Sequence, residues 1–383
     1  MPLNTIPNEG LTSRGYPSDR LVTPIIINGD MSVAQRGTSV TSQTGSGYLT
    51  VDRVRLGTGA NCTFTVTQAS EAPTGQGFSK SYKLVATTGD ATLANAEYNL
   101  LQYRCEGNTL QAIKKGTSNA EKITFAFWVK ASVTGTYILE LIDNDNSRYI
   151  SKAYTISAAD TWEKKIIVID ADTTGAFDND SNKSLTIDFW LGAGNDYSSG
   201  TLQTAWTSNT SANRAVGQVN AFASNNDAWQ ITGLQIEVGE FDSTTIPSFP
   251  FESFENNLRK CQRYYFCSDT VSSATEFHPC FCGSSGNTPD SIKFIAPVPF
   301  RSPDNVTITA SAGTSQLVGG GYSSTTTVPT FTRRSLTNDV DGTTKPSGNG
   351  TKIYFVTNAL FSGISEGFAG FGTTGKLEFD NEL

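Results

Sequence analysis

One stretch of the sequence decides how the rest of the chain is organised: residues 229–265 read WQITGLQIEVGEFDSTTIPSFPFESFENNLRKCQRYY. From Leu234 to Val238 apolar residues alternate with polar ones, which predicts a strand with one buried face. Pro247 and Pro250 then remove two backbone donors, so the chain should continue as an extended connector. The stretch therefore predicts the last strand of one domain and the entry into a second.

A short helix is predicted directly after the connector. Ser253 can cap its first turn. The apolar residues of this segment recur at spacings of four, three and four, and they are Phe254, Leu258, Cys261 and Tyr265. This spacing places them on one helical face. Because a single short helix rarely buries such a stripe alone, we expect the four residues to form a packing seam between domains or around a threefold axis.

From Cys62 to Val238 the sequence carries strand signals at regular intervals, separated by clusters of Gly, Asn, Asp and Ser. The ten runs are CTFTVTQ, YKLVATT, YNLLQYR, ITFAFWVKA, GTYILELID, RYISKAYTIS, EKKIIVID, LTIDFWLGA, GQVNAFA and WQITGLQIEV. The apolar residues of two runs share one face each, Ile123, Phe125, Phe127 and Val129 in the first and Leu185, Ile187, Phe189 and Leu191 in the second. No helix of useful length interrupts the series, which predicts two antiparallel sheets packed as a jelly-roll β-sandwich.

Four segments follow from this pattern. Residues 1–24, rich in Pro, Gly, Asn and Ser, are predicted to be an extended attachment arm that is ordered by a partner. The jelly-roll domain comprises residues 25–240, and residues 241–266 form the linker and short helix. Strand signals resume over residues 267–383 and predict a second, β-sandwich-like domain, so the whole chain is predicted to be all-β.

The composition argues against several classes of partner. Only 17% of the residues are charged, the net charge is -8, and no cluster of Lys and Arg is present, which argues against nucleic acid. No apolar run approaches the about 20 residues needed to cross a bilayer, and the N-terminus lacks the apolar core of a signal peptide. We therefore expect a soluble protein that does not insert into membranes.

The histidine and cysteine residues give little support for a zinc site or a catalytic triad. The single histidine, His278, lies beside Cys280 and Cys282 in HPCFC, and Cys267 could complete a zinc site. Structural zinc sites usually show paired CxxC spacing, however, and alternation along a strand explains these residues more simply. No GxSxG elbow accompanies His278, so a serine triad is not supported and we expect the protein not to be an enzyme.

Two pairs of aspartates lie in predicted hairpin loops, Asp143 with Asp145 and Asp178 with Asp180. Paired carboxylates can hydrolyse a glycosidic bond, and their oxygens are also the ligands that calcium prefers. Aspartate is an ordinary turn-forming residue in such loops, and we favour that interpretation. Calcium therefore stays a candidate ligand of these four residues, and no other cofactor is expected.

A polar loop with aromatic residues is the best candidate for a sugar-binding site. Sugar recognition needs an aromatic platform for the ring and amides or carboxylates for the hydroxyl groups. The loop GAGNDYSSGTLQTAWTSNTSANRAVG supplies Tyr197, Trp206, Asn195, Asp196, Asn209 and Asn213. The alternative is that Trp206 packs back under the loop and seals an edge of the sandwich. Trp128 and Trp190, opposite the apolar stripes of their strands, are rival sites or subunit contacts.

Three pieces of the chain together resemble a widespread kind of bacteriophage virion protein, the tail-fibre and receptor-binding-like proteins that carry a carbohydrate-binding-module-like sandwich. The first piece reads NGDMSVAQRGTS and then TVDRVR, within residues 28–55. The second comprises ITFAFWVKAS, TISAADTWEKKIIVI and LTIDFWLGAG, and the third is residues 232–265. The ending KLEFDNEL is also similar to the end of that family. The order and spacing of the pieces carry the resemblance. The short arm differs from the family's longer anchoring domain or stalk.

The resemblance implies a homotrimeric appendage of the virion, assembled in the host cytoplasm, that recognises glycans of the bacterial surface and mediates adsorption. Other virion proteins would bind through the arm. Two alternatives remain open: a head fibre or capsid decoration protein that serves attachment and stability, and a polysaccharide depolymerase.

Overall fold

The computed structural model describes residues 24–267 in full and, between residues 278 and 383, nine strands together with Val298, Arg301, Asp380, Glu382 and Leu383. The predicted arm, apart from Pro24, and the side chains of the HPCFC motif lie outside the described residues. The chain divides into two compact units, unit 1 with residues 1–257 and Leu383, and unit 2 with residues 258–382.

Unit 1 is a sandwich of two antiparallel sheets. The strands of sheet A, in spatial order, are β1 (Ser39–Gln43), β4 (Thr63–Ala69), β5 (Ser81–Thr88), β13 (Ala228–Val238), β7 (Ile123–Ala131) and β10 (Glu163–Ile169). Those of sheet B are β12 (Thr207–Ser208), β9 (Arg148–Ile156), β8 (Gly135–Asp143), β11 (Lys183–Ala193), β6 (Tyr98–Glu106), β3 (Val54–Thr58) and β2 (Gly47–Tyr48). Three neighbouring pairs, β4 with β5, β8 with β9 and β2 with β3, are consecutive strands, and the other neighbours are not consecutive in sequence, as expected for a jelly roll.

The core lies between the two sheets and confirms the predicted strand faces. Both apolar stripes, Ile123 to Val129 and Leu185 to Leu191, are buried in one continuous cluster. One predicted strand is wrong, because GQVNAFA (residues 217–223) forms no strand and makes isolated main-chain bonds, among them those from Val219 N to Thr136 O and from Ala221 N to Leu191 O. At the start of this run Gly217 has a φ of 87°, which is not the extended conformation of a paired strand.

Helices are short within the described residues. They are α1 (Asn195–Ser198), α2 (Phe254–Gln262) and the 3-10 turns Gly107–Thr109, Gln111–Ile113 and Ser211–Asn213. Helix α2 starts as predicted but ends at Gln262, so Tyr265 does not lie on the predicted helical face. The packing seam predicted for the four residues stays a prediction. Phe254 is 57% exposed, and Tyr265 belongs to a strand. Of the other two, Cys261 is buried and Leu258 is half-buried. Within residues 254–265 the buried residues are Asn257, Cys261, Tyr264 and Tyr265, so the buried side of this segment includes a polar residue.

Unit 2 is also built of strands. Its three-stranded sheet comprises β14 (Tyr265–Cys267), β23 (Leu377–Asp380) and β17 (Thr307–Ala310). Its seven-stranded sheet comprises β19 (Tyr322–Thr326), β18 (Ser315–Gly319), β22 (Gly367–Thr373), β15 (His278–Ser284), β16 (Pro289–Ile295), β21 (Lys352–Thr357) and β20 (Phe331–Arg333). The predicted all-β class is therefore confirmed. None of the helices within the described residues has the length and apolar character needed to cross a bilayer.

A tight turn at Asn28 and Gly29 fixes the start of the sandwich. Asn28 has a φ of 61° and its main-chain oxygen accepts from Met31 N at 3.0 Å. The buried side chain of Asn257 accepts from Asn28 N at 3.0 Å, which ties the first turn of α2 to this position. Gly29 packs so closely against β13 that a Cβ atom would lie 2.1 Å from Leu234 O.

Gly29→Ala is expected to lower the free energy of unfolding by about 1–3 kcal/mol, the usual cost of overpacking. Urea unfolding of the purified chain measures this loss. Gly45→Ala is the matched control, because the nearest atom to its added carbon would be a flexible Gln43 side-chain nitrogen at 3.8 Å. Equal losses in the two variants would contradict the role assigned to Gly29.

Candidate functional site

A row of polar side chains crosses the outer face of sheet B, the face turned away from the core. Across strands β3, β6, β11, β8 and β9, the residues that lie opposite one another in register are Arg55, Gln102, Asp188, Glu140 and Ser151. We call these five residues the central row. Since neighbouring strands are 4.7–4.9 Å apart, the row spans about 19 Å. It runs perpendicular to the strands, so residues from five distant parts of the sequence meet in one line.

Hydrogen bonds link the first part of the row. Arg55 Nη1 donates to Gln102 Oε1 at 3.3 Å, and Gln102 Nε2 donates to Asp188 Oδ1 at 2.8 Å. Arg104, two residues along β6, donates from Nε to the same Gln102 Oε1 at 2.8 Å. Arg55, Gln102 and Arg104 are half-buried, whereas Asp188 is buried. This part of the row therefore presents partly exposed donors above a buried carboxylate.

Glu140 anchors the other part of the row. Its two carboxylate oxygens accept from Arg214 Nε and Nη2, both at 2.8 Å, and Oε2 also accepts from Trp190 Nε1 at 3.0 Å. Arg214 Nη2 lies 3.7 Å from Asp188 Oδ2. Burial raises the pKa of both acids above their ordinary values, although Arg214 acts to lower it. A bidentate pair with three donors requires an ionised Glu140, so we describe it as a carboxylate.

Aromatic rings surround the guanidinium group of Arg214. Its Cζ atom lies 5.1 Å from the ring centre of Trp190, 5.3 Å from that of Tyr149 and 5.8 Å from that of Tyr197. Trp190 is buried with Leu100, Ile138 and Ala215 in an apolar cluster separate from the main core. The loop that contains Arg214 therefore covers one side of the row, and Tyr149 and Tyr197 stay half-buried at its border.

The loop does not bring Tyr197 and Trp206 together into one platform. Tyr197 packs with Trp190 at 5.3 Å and Tyr98 at 5.9 Å on the outer face of sheet B. Trp206 packs against the main core, and its Nε1 donates to Asp170 O at 2.8 Å. The structure thus places Trp206 as the alternative interpretation of the sequence describes, sealing an edge of the sandwich.

The polar residues predicted for the same site are dispersed. Asn195, Asp196 and Asn209 are exposed, and the amide of Asn195 donates to Asn95 Oδ1 at 3.3 Å. Asn213 Oδ1 accepts from Thr201 N at 2.9 Å and folds the loop on itself. Of the rival positions, Trp128 is half-buried on the outer face of sheet A, and Trp190 is buried inside unit 1.

The carboxylate of Asp143 binds an ammonium group. Lys115 is buried, and its Nζ lies 2.5 Å from Asp143 Oδ2 and 3.0 Å from Asp172 Oδ2. The main-chain oxygens of Thr174 and Gly175 accept from the same Nζ at 2.9 and 2.8 Å. Four oxygens thus surround one cation. Arg148 Nε lies 2.7 Å from Asp172 Oδ2, so two cations of the chain compensate the charges of the two aspartates.

Two of the remaining aspartates of the calcium prediction, Asp145 and Asp180, bind main-chain amides of the loops, and Asp178 supplies one of these amides. Asp145 Oδ2 accepts from Asp178 N at 3.0 Å, and Asp180 Oδ1 accepts from Asn182 N at 2.8 Å. Across the described part of the chain, no three Asp, Glu, His or Cys side chains are grouped so that they could hold a metal ion.

The central row was not predicted from the sequence, because its residues come together only through the register of five strands. The sequence does carry one signal, since Glu140 in YILELI and Asp188 in LTIDFW place charges inside otherwise apolar strands. A buried charge in a strand needs a partner, and that requirement points to a polar network on the sheet.

Comparisons with known proteins give structural likenesses only. No protein-family model and no curated protein matches the sequence. The enzymatically active domain of tailspike protein 4 of bacteriophage CBA120 is 15% identical, with a TM-score of 0.30 over 56% of this chain and 21% of that one. A family 11 carbohydrate-binding module of Clostridium thermocellum, in complex with a mixed-linked tetrasaccharide, is 9% identical, with a TM-score of 0.27 over 54% of this chain and 96% of that one. A family 61 module in complex with β-1,4-galactotriose is 10% identical, with a TM-score of 0.28 over 56% and 97%. A ligand for this chain has to be inferred from its own side chains.

Lys115→Met is expected to lower the free energy of unfolding by about 3–5 kcal/mol, because the buried carboxylate of Asp143 loses its cation and Asp172 keeps only Arg148. Lys114→Met removes the neighbouring cation, whose side chain is 52% exposed and pairs with Glu121 at 2.9 Å, and should cost less than about 1 kcal/mol. Chemical unfolding of both variants measures the two losses of unfolding free energy. A small loss in Lys115→Met would show that the cage is not a stabilising element.

The contribution of Asp172 to stability is expected to depend on pH. Burial alone would raise the pKa of Asp172, but hydrogen bonds from Arg148 and Lys115 outweigh it and hold the pKa below its ordinary value of 3.8. The folded state therefore binds its proton less readily than the unfolded chain, so the stabilisation is present above pH 3.8 and is lost as the pH falls further.

Thermal unfolding of wild type and Asp172→Asn should accordingly differ most near neutral pH, and the difference should shrink below pH 3.8. Asp170→Asn is the control, because its carboxylate is 53% exposed and pairs only at the surface. A gap between wild type and Asp172→Asn that widens in acid would contradict this sign.

Proposed function

We propose that unit 1 binds a glycan across the outer face of sheet B, as the receptor-binding part of a bacteriophage tail-fibre-like appendage. The observation that carries the proposal is the central row with its half-buried Gln102 and Arg55. Amide, carboxylate and guanidinium groups in one line offer both donors and acceptors, which is what a run of sugar hydroxyl groups requires.

The surroundings of the row also suit a sugar. Tyr149 and Tyr197 border it, and the apolar faces of sugar rings pack on aromatic side chains. The row is carried by strands, and its side chains are fixed by hydrogen bonds before any ligand binds. Such preorganisation reduces the entropy that binding has to overcome. At about 19 Å the row is long enough for several sugar rings.

The row supports binding better than hydrolysis. Hydrolysis of a glycosidic bond uses one carboxyl group as acid and a second as base or nucleophile. Glu140 already accepts three hydrogen bonds, and Asp188 is 1% exposed. The two acids therefore serve to hold Arg214 and Gln102 in place.

The role in adsorption is proposed from the resemblance of residues 28–55, 123–194 and 232–265 to tail-fibre-like virion proteins. In this role the protein is a homotrimer on the virion, and its sandwich recognises glycans of the bacterial surface.

Gln102→Ala is expected to weaken binding of the purified chain to a host-surface polysaccharide by about tenfold, because hydrogen bonds to the row are lost. Thr65→Ala, on the outer face of sheet A, is the control and should bind as wild type does. Pull-down on host cells, with added surface polysaccharide as competitor, provides the assay, and thermal unfolding verifies that both variants are folded. Full binding by folded Gln102→Ala would refute a site on the central row.

A further inference from the structure

A cluster of three phenylalanine rings lies at the surface of unit 1, where the linker meets the loop before β5. The ring centres of Phe78, Phe249 and Phe251 lie 4.9 to 5.0 Å from one another, in edge-on and tilted arrangements. Aromatic rings prefer such arrangements, so the three rings hold one another in place. Phe78 and Phe249 are half-buried, and Phe251 is exposed. The cluster therefore presents a fixed apolar ring to the surroundings.

The backbone is shaped to hold this cluster. Gly233, in β13, has a φ of 64°, and an added Cβ would lie 2.6 Å from Phe78 Cζ. Gly77 has a φ of 85°, and an added Cβ there would lie 2.9 Å from Phe251 Cζ. Both glycines have a conformation that other residues rarely adopt, and neither leaves room for a larger side chain unless a ring moves. Two special backbone positions thus place the rings at the surface.

Two phenylalanines of this region stay largely in contact with solvent. Among the residues that the structure describes, the large apolar side chains that remain exposed are Phe251, at 52%, and Phe254, at 57%. Phe254 is the first residue of α2, so a helix fixes its position. Single exposed apolar side chains are ordinary, but two phenylalanines three residues apart, one of them held in a cluster of rings, indicate a contact surface.

The charges beside Phe254 fit a second copy of the same surface. Glu255 and Arg259 are exposed and lie one turn apart on α2. Within the described part of the chain neither of them takes part in a salt bridge. A surface that carries an acidic and a basic group one turn apart is complementary to itself, because the glutamate of one copy can pair with the arginine of the next.

We propose that Phe251 and Phe254, flanked by Glu255 and Arg259, form a contact surface between copies of this chain. The rings would lie at the centre of the contact and the charges at its rim, which is the usual anatomy of a protein interface. Buried aromatic side chains supply much of the binding energy, and the charges fix the orientation of the copies. The surface is separate from the central row; it rests on the homotrimer of the proposed function and adds the residues through which its copies meet.

Sedimentation equilibrium of the purified chain over a range of concentrations tests the proposal. Wild type is expected to self-associate, and Phe251→Ser and Phe254→Ser should each weaken self-association by about 10- to 30-fold, the usual loss when an aromatic side chain at the centre of an interface is truncated. Asn256→Ala is the control, because it changes an exposed residue of the same helix that does not face Phe254. It should assemble as wild type does.

Reversing the charges tests the self-complementarity directly. Glu255→Arg and Arg259→Glu should each weaken self-association by about tenfold, because like charges then meet across the contact. The double variant carries the same pair in reverse and should recover the wild-type association. Thermal unfolding verifies that every variant is folded.

Dissociation of the phenylalanine variants, together with recovery in the double variant, supports the proposal. If the phenylalanine variants dissociate but the double variant does not recover, a different surface faces the rings and the proposal falls. An oligomeric wild type that none of the substitutions affects also overturns it and leaves the homotrimer standing. A monomeric wild type overturns both the proposal and the homotrimer, whereas glycan binding that depends on Gln102 would still stand. If that monomer binds host-surface polysaccharide less well after Phe254→Ser, the exposed rings bind a sugar instead of a second copy.

Discussion

The buried carboxylate of Glu140 is the constraint on which the outer face of sheet B depends. A carboxylate without solvent is costly unless charged donors surround it, and Glu140 is 0% exposed. Arg214 supplies two donors and Trp190 a third, so residues 194–218, which contain Arg214, are held on the sheet. The guanidinium group is in turn held by the rings of Trp190, Tyr149 and Tyr197. One buried charge thereby decides which half of the face is covered and which half stays accessible.

The same physical solution recurs at an edge of the sandwich. Lys115 places an ammonium group among two carboxylates and two main-chain oxygens, between the rings of Phe177 and Trp206. In both places a cation of the chain neutralises aspartates or glutamates that interrupt an apolar surface. Removing one member of such a set leaves its partners buried and unpaired, which is why each set acts as a unit. The two sets differ in what surrounds them, since Lys115 is enclosed by main chain whereas Arg214 borders an accessible row.

Features that depend on a local sequence pattern, such as strand faces, could be predicted from the sequence. Features that depend on strand register or tertiary packing could not. Alternation within residues 123–129 and 185–191 is enough to assign the buried faces and the all-β class, because the period of a strand is local. Tyr265 does not lie on the predicted helical face, because spacing alone does not tell that α2 ends at Gln262. Tyr197 and Trp206 are nine residues apart and yet pack on different clusters. Their separation follows from tertiary packing, which no pattern of spacing encodes. The central row is hidden for the same reason, since it joins β3, β6, β11, β8 and β9.

The direction of the central row also bears on how selective a ligand site on this face can be. A line of residues along one strand would place alternate side chains on opposite faces, so only half of them could touch one ligand. A line across strands in register places every member on the same face at regular spacing. Gln102 then receives donors from Arg55 and Arg104 while it donates to Asp188, and the charge of the row changes sign along its length. A saccharide bound as proposed would meet this order of donors and acceptors in only one orientation.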